Sequence, residues 1–249
     1  MNKYLTYLFC AFLFCSCNEF FSNGNDSNSG SETGTGGSMA RFTVSGDYLY
    51  VLDSERLHTY DISDSSKLEL KSIIDISWNM ETIFPVEGFL FMGSTSGMYV
   101  FSIDNPAKPE YVSNYQHFTS CDPVIVSGKY AYVTLRSDQE SWTCSRNVNE
   151  LQVIDISNIY EPFEVKSYPM TTPKGLAKIG DNLFVCDGLD LLVMDATEPL
   201  NMKEVKRFRM DGTPYDVIAK DGILVVSYSN GLVQYSYDND TIQMLSVLY

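Results

Sequence analysis

Histidine occurs only twice in this chain, at positions 58 and 117. That scarcity removes support for a Ser-His-Asp or Cys-His nucleophilic arrangement, and for a metal centre built on imidazole. Cations are short as well: 17 Lys and Arg stand against 32 Asp and Glu, a net charge of −15. Binding to phosphate backbones needs clustered cations, so nucleic acid is excluded as a partner. Phosphate-cradling glycine motifs are missing, since Gly34, Gly36 and Gly37 lie in a polar stretch and open no helix. No cofactor is implied. Helix-type apolar periodicity is scarce, whereas Tyr, Val, Ile and Thr cluster in short runs, which points to an all-β chain. The one long apolar run, Tyr4 to Phe14, falls short of the ~20 residues that cross a bilayer as a helix.

That short run has another use. Lys3 supplies a positive start, the apolar stretch follows, and Leu13-Phe14-Cys15-Ser16-Cys17 leads into polar Asn18-Glu19. This is the layout of an export signal. Its end resembles a lipobox, where a bacterial lipoprotein is acylated on cysteine and cleaved just before it. Small Ser16 before Cys17 marks Cys17 as the lipidated residue, with 1–16 the signal peptide; a plain secretory signal cut elsewhere is the competing reading. Each buried methylene of such a lipid contributes about 0.8 kcal/mol to anchoring. Residues 18–38 are rich in Gly, Ser and Asn, so 17–38 reads as a lipidated cysteine and flexible tether spanning about 25 Å. The expected location is the bacterial cell envelope, on the periplasmic or surface face of the outer membrane, with lipid the only membrane contact.

From Met39 to Tyr249 the chain repeats itself. The runs Leu49-Tyr50-Val51, Leu90-Phe91-Met92, Ala131-Tyr132-Val133, Leu183-Phe184-Val185 and Ile223-Leu224-Val225 lie 41, 41, 52 and 40 residues apart. A second run follows each, as in Leu151-Gln152-Val153-Ile154-Asp155. Four short strand candidates fit each unit; in the first they are 41–44, 48–52, 57–62 and 68–74. Five units of about 40 residues with four strands each predict a five-bladed β-propeller over 39–249. Middle strands of stacked blades should be near-continuous apolar runs, as Phe89–Met92 and Ile223–Val226 are. The outer strand should alternate, as Phe163–Tyr168 does. With the first and last strands each inside their own unit, the ring is expected to close by blade packing alone, unless residues 30–38 add a strand.

Leu151 to Ser157, followed by Asn158 and Pro162, resembles the LVIVD repeat family. Leu191–Thr197 with Glu198-Pro199, and Ser102-Ile103-Asp104-Asn105-Pro106, share its strand-then-turn pattern; units one and five lack the proline. The resemblance implies a propeller-like fold in an exported bacterial protein and brings no catalytic residues with it. The aspartate that ends the third strand of three units (Asp61, Asp155, Asp195) reads as a turn-fixing acceptor.

Propeller ligands usually sit at one channel mouth. The repeat brings Arg41, Glu81, Asp122, Lys174 and Asp216 there, either as ligand contacts or as solvated charges at strand starts. The long third unit carries a loop, Arg136 to Asn149, holding Trp142 and Cys144. Trp142 is a candidate for partner or sugar contact, or a ring packed on its own blade. Export permits a Cys121–Cys144 disulfide, while Cys186, mid-strand, reads as a buried thiol. Together these features favour a binding or scaffold module for a protein or glycan, without a catalytic or metal site. The alternative is a glycosidase-like enzyme using channel carboxylates.

Overall fold

The structure is a computed structural model, and it describes residues 36–53, 55–76, 79–116, 123–137, 148–238 and 241–249. Five antiparallel sheets follow one another along the chain, each a meander of four consecutive strands. Blade 1 holds β1 (Phe42–Ser45), β2 (Tyr48–Asp53), β3 (Arg56–Asp61) and β4 (Glu69–Asp75). Blade 2 holds β5 (Met80–Val86), β6 (Phe89–Ser94), β7 (Gly97–Ser102) and β8 (Glu110–Gln116). Blade 3 holds β9 (Val124–Ser127), β10 (Tyr130–Leu135), β11 (Glu150–Asp155) and β12 (Phe163–Pro169). Blade 4 holds β13 (Pro173–Ile179), β14 (Asn182–Asp187), β15 (Asp190–Asp195) and β16 (Lys203–Arg209). Blade 5 holds β17 (Pro214–Lys220), β18 (Ile223–Tyr228), β19 (Gly231–Asp238) and β20 (Thr241–Leu248). The expected all-β propeller of five four-stranded blades is what the chain forms.

Local chemistry repeats with the sheets. The turn between the first two strands carries a glycine at positive φ in every blade: Gly46, Gly88, Gly128, Gly180 and Gly222. That left-handed conformation is cheap only without a Cβ, and it matches the twist of the flanking strands. Asp61, Asp155 and Asp195 accept the N–H of Ser63, Ser157 and Thr197 at 2.9, 2.8 and 2.9 Å, which fixes each exit from the third strand. The third and fourth strands of every blade slip register by a bulge, and a bulge increases local twist.

Four apolar clusters hold the blades together. Leu57 and Tyr50 pack with Leu90 and Tyr99 between blades 1 and 2. Phe91 and Val100 pack with Val133 and Ile154 between blades 2 and 3. Tyr132 and Val153 meet Val185 and Leu192 between blades 3 and 4, and Phe184 and Val193 meet Leu224 and Val233 between blades 4 and 5. Blades 2 to 4 therefore bury both faces of their middle strands, as Phe89–Met92 led us to expect.

The terminal blades differ. In β18 only alternate residues are buried: Leu224 and Val226 are inside, while Ile223 and Val225 are half-buried. The expectation that Ile223–Val226 would be covered on both sides is thus corrected. Blade 5 packs on blade 4, and no apolar cluster among the described residues joins it to blade 1. Nor do residues 36–38 add a strand.

A short strap does the joining instead. Ser38, buried to 1% exposure, accepts the Leu176 N–H of blade 4 through Oγ at 2.8 Å and donates to Asp216 Oδ1 of blade 5 at 2.9 Å. The Ala40 carbonyl then accepts the Ile83 N–H of blade 2 at 2.9 Å, and the Arg41 carbonyl accepts Leu52 N–H at 2.7 Å. Residues read as the end of a tether are part of the fold. Gly175 allows the same crowding, because a Cβ there would lie 2.6 Å from Asp216 Cα.

Candidate functional site

The first strand of each blade is its innermost, and four of these strands surround a cavity of about 190 Å³ on the propeller axis. Its lining includes Phe84, Ile125, Leu176 and Val217, with Gly36 and Ser38 of the strap. Polar and apolar groups share these walls in similar measure. Lys178 also lines the cavity, and burial holds its ammonium below the ordinary lysine range, with Asp181 opposing that shift.

The chemistry is at the mouth, where strands β1, β5, β9 and β13 begin. A second cavity of about 200 Å³ is lined there by Met39, Arg41, Glu81, Thr82, Pro123, Arg136, Pro173 and Lys174. The sequence-derived candidates Arg41, Glu81 and Lys174 therefore share one site, each delivered by a different blade. Lys174 Nζ also stands 4.6 Å from the centre of the Tyr215 ring, and its carbonyl accepts the Thr134 hydroxyl at 2.6 Å.

Arg136 completes the set, and the sequence pointed to it only as the first residue of a loop. An available signal was the hairpin itself. A residue just past the second strand lies beside those that precede the first, and Thr134 N–H bonds the Pro123 carbonyl at 3.2 Å. Among the described residues, three cations and one carboxylate line this mouth, in a chain whose net charge is −15.

Asp216 is elsewhere engaged and is not among the residues lining this cavity. Its carboxylate takes the Ser38 hydroxyl, the Met39 N–H at 3.2 Å and the Val217 N–H at 3.0 Å. Burial pushes the carboxyl above its ordinary 3.8, while those donors pull the other way. The native state then binds this proton more tightly than the unfolded chain does. The stabilising contribution is complete below the unfolded value and is lost as pH rises through the native one. Asp216→Asn removes that titration. Apart from a constant offset, its unfolding free energy is expected to gain on the wild type as pH rises from about 3.8 towards neutrality. Parallel curves in urea melts at several pH values would contradict it.

Of the remaining candidates, Cys17, Cys121, Asp122, Trp142 and Cys144 lie outside the described residues. Cys186 is a free, fully buried thiol, and desolvation pushes it well above the ordinary thiol range. His58 belongs to blade 1, where it pairs with Asp53 at 2.9 Å and its hydrogen bond holds that carboxyl down at about 2. No group of three or more His, Cys, Asp or Glu side chains is arranged to hold a metal among the described residues.

Comparison with known proteins bears on the repeats first. The family model for the LVIVD repeat matches residues 36–76, 120–139 and 145–170. This chain is an LVIVD-repeat protein. The matched stretches cover the strap with blade 1, and most of blade 3. Blade 4, where the resemblance is plain by eye, is not among them.

A search of curated proteins returned no match. Solved structures with the same architecture include a periplasmic gluconolactonase of Pseudomonas aeruginosa. It is 14% identical, with a TM-score of 0.63 over 82% of this chain and 67% of that one. A protein from Lactobacillus plantarum is 13% identical, with a TM-score of 0.65 over 82% of this LVIVD-repeat chain and 72% of its own. BamB from Moraxella catarrhalis is 9% identical, with a TM-score of 0.56 over 79% and 56%. At these identities the likeness is one of fold. The LVIVD-repeat chain spans about two thirds of the gluconolactonase and just over half of BamB.

Proposed function

We propose that this protein is a binding module of the bacterial cell envelope, held there by lipid on Cys17, which engages a protein or glycan through its channel mouth. The observation that carries this reading is the cavity of about 200 Å³ into which blades 1 to 4 each send side chains. Strands fix those side chains in place, and a rigid scaffold with a concave polar mouth is what recognition needs. Glycoside hydrolysis, by contrast, uses a facing pair of carboxyl groups. Glu81 is the one carboxylate among the described residues lining the mouth, and Asp216 is committed to the strap.

The test uses the full chain. Purified protein on glycan and peptide arrays is expected to give saturable binding, lost in Arg41→Ala and Lys174→Ala proteins that still melt as the wild type does. Incorporation of labelled palmitate in cells should disappear in Cys17→Ser. Release of product from an oligosaccharide, abolished in Glu81→Gln, would overturn the binding reading in favour of an enzyme. Palmitate labelling that persists in Cys17→Ser would overturn the anchor.

A further inference from the structure

Four of the five innermost strands bury the side chain that faces the preceding blade. Ile83, Val124, Leu176 and Val217 are the register partners of Met92, Val133, Val185 and Val226, and each is at most 1% exposed. Phe42 stands in the same register against Val51 and is 63% exposed. Two cross-strand rungs make up this face of blade 1. Phe42, Val51 and Ile73 form one with His58, while Val44, Leu49 and Leu70 form the other with Tyr60. Leu70 and Ile73 are exposed too, and the remaining members are half-buried. We propose that a second copy of this chain covers this face, blade 1 packing on blade 1 about a twofold axis.

The face is of the kind that blades 2 to 5 each bury against a neighbouring sheet, and blade 5 is a poor cover for it. Where blades 1 to 4 aim Tyr50, Phe91, Tyr132 and Phe184 at the next blade, blade 5 has the smaller Val225. That rung continues through Gln234 and Ser246, which bond each other at 3.1 Å. The same face of another copy is apolar at its centre and self-complementary, and two such sheets stack about 10 Å apart. Four strands of about six residues offer about 400 Å² per copy and about 1,000 Å² of buried surface in all, near the lower limit for a specific interface. Association in the micromolar range follows, without an obligate dimer. Charges at the border are paired within the blade, Asp53 with Arg56 at 3.3 Å and Glu69 with Lys71 at 2.8 Å. The whole-chain charge of −15 still opposes association, so added salt should strengthen it.

Pairing of the blades is independent of what the mouth holds, and sedimentation equilibrium of the full chain tests it. A monomer–dimer transition is expected within about 1–100 µM, tightening severalfold as salt rises from about 0.05 to about 0.5 M. Ile73→Glu sets a charge against its own symmetry mate and should weaken the dimer at least about tenfold. Its melt should match the wild type, because residue 73 is exposed in the monomer. Leu248→Glu, on the far face of blade 5, should leave the dimer unchanged. Monomer throughout the range would overturn the proposal, and so would a dimer that survives Ile73→Glu. Loss of association in both variants would assign a head-to-tail contact of blade 1 on blade 5 and overturn the twofold. Weakening by salt would show that ion pairs, not this apolar face, hold the copies together.

Discussion

Phe184→Ala is expected to destabilise the protein by about 3–5 kcal/mol, read as a shift of the urea midpoint. Phe184 is fully buried in β14, and its ring meets Tyr237 of β19 edge-on, centroids 4.8 Å apart at 88°. Leu224, Val226 and Val233 surround it from blade 5. Truncation removes the transfer energy of the ring, leaves a cavity, and forfeits an aromatic pair contributing about 0.5–1.5 kcal/mol by itself. Most domains have about 5–15 kcal/mol in total, so the change is large. It also falls at the interface by which blade 5 packs on blade 4. Hydrogen exchange should show blade 5 opening before blades 2 and 3. A loss below about 1 kcal/mol would mean that the blade faces are not packed as described.

Asp187→Ala should be the next most damaging, at about 2–4 kcal/mol. This carboxylate is 1% exposed at the end of β14. Its Oδ1 accepts the N–H groups of Thr171 and Thr172 at 2.9 and 2.8 Å, and its Oδ2 takes Arg207 Nη1 at 3.2 Å. Alanine strands two part-buried donors and loosens the link between blades 3 and 4. Arg207 keeps Glu204 at 3.1 Å, so the cation is not left alone and the cost stays below that of a fully orphaned charge. Asp187→Asn retains an oxygen for the two amides and should recover more than half of the loss, measured by thermal melts of both variants. Equal destabilisation by alanine and asparagine would place the cost in the ion pair.

The architecture was legible because its signals are local and repeated. Strand limits in the first unit agree with β1 to β4 within a residue or two, since alternation and turn residues mark them directly. The aspartates closing the third strand were legible for the same reason: donor and acceptor are two residues apart. Contacts between distant segments were not. Ser38 and Asp216 are 178 positions apart, and a Gly-Ser stretch has the same composition whether it floats in water or slips through a crowded axis. Ile223–Val226 misled because an apolar run reports what its residues tolerate and cannot report whether a neighbour is present on the far side. At the mouth, the repeat column located Arg41, Glu81 and Lys174, while Arg136 needed the register of β9 against β10 to be known.

The first and last sheets share no strand, and residues 36–40 are what ties the ends of the series. Addition of a unit beyond the fifth would therefore unpick no interlocked joint, and would need new anchoring only for the strap residues. Lineages carrying such a chain are free to gain units at the far end while keeping the mouth, whose described residues come from the first four units, intact.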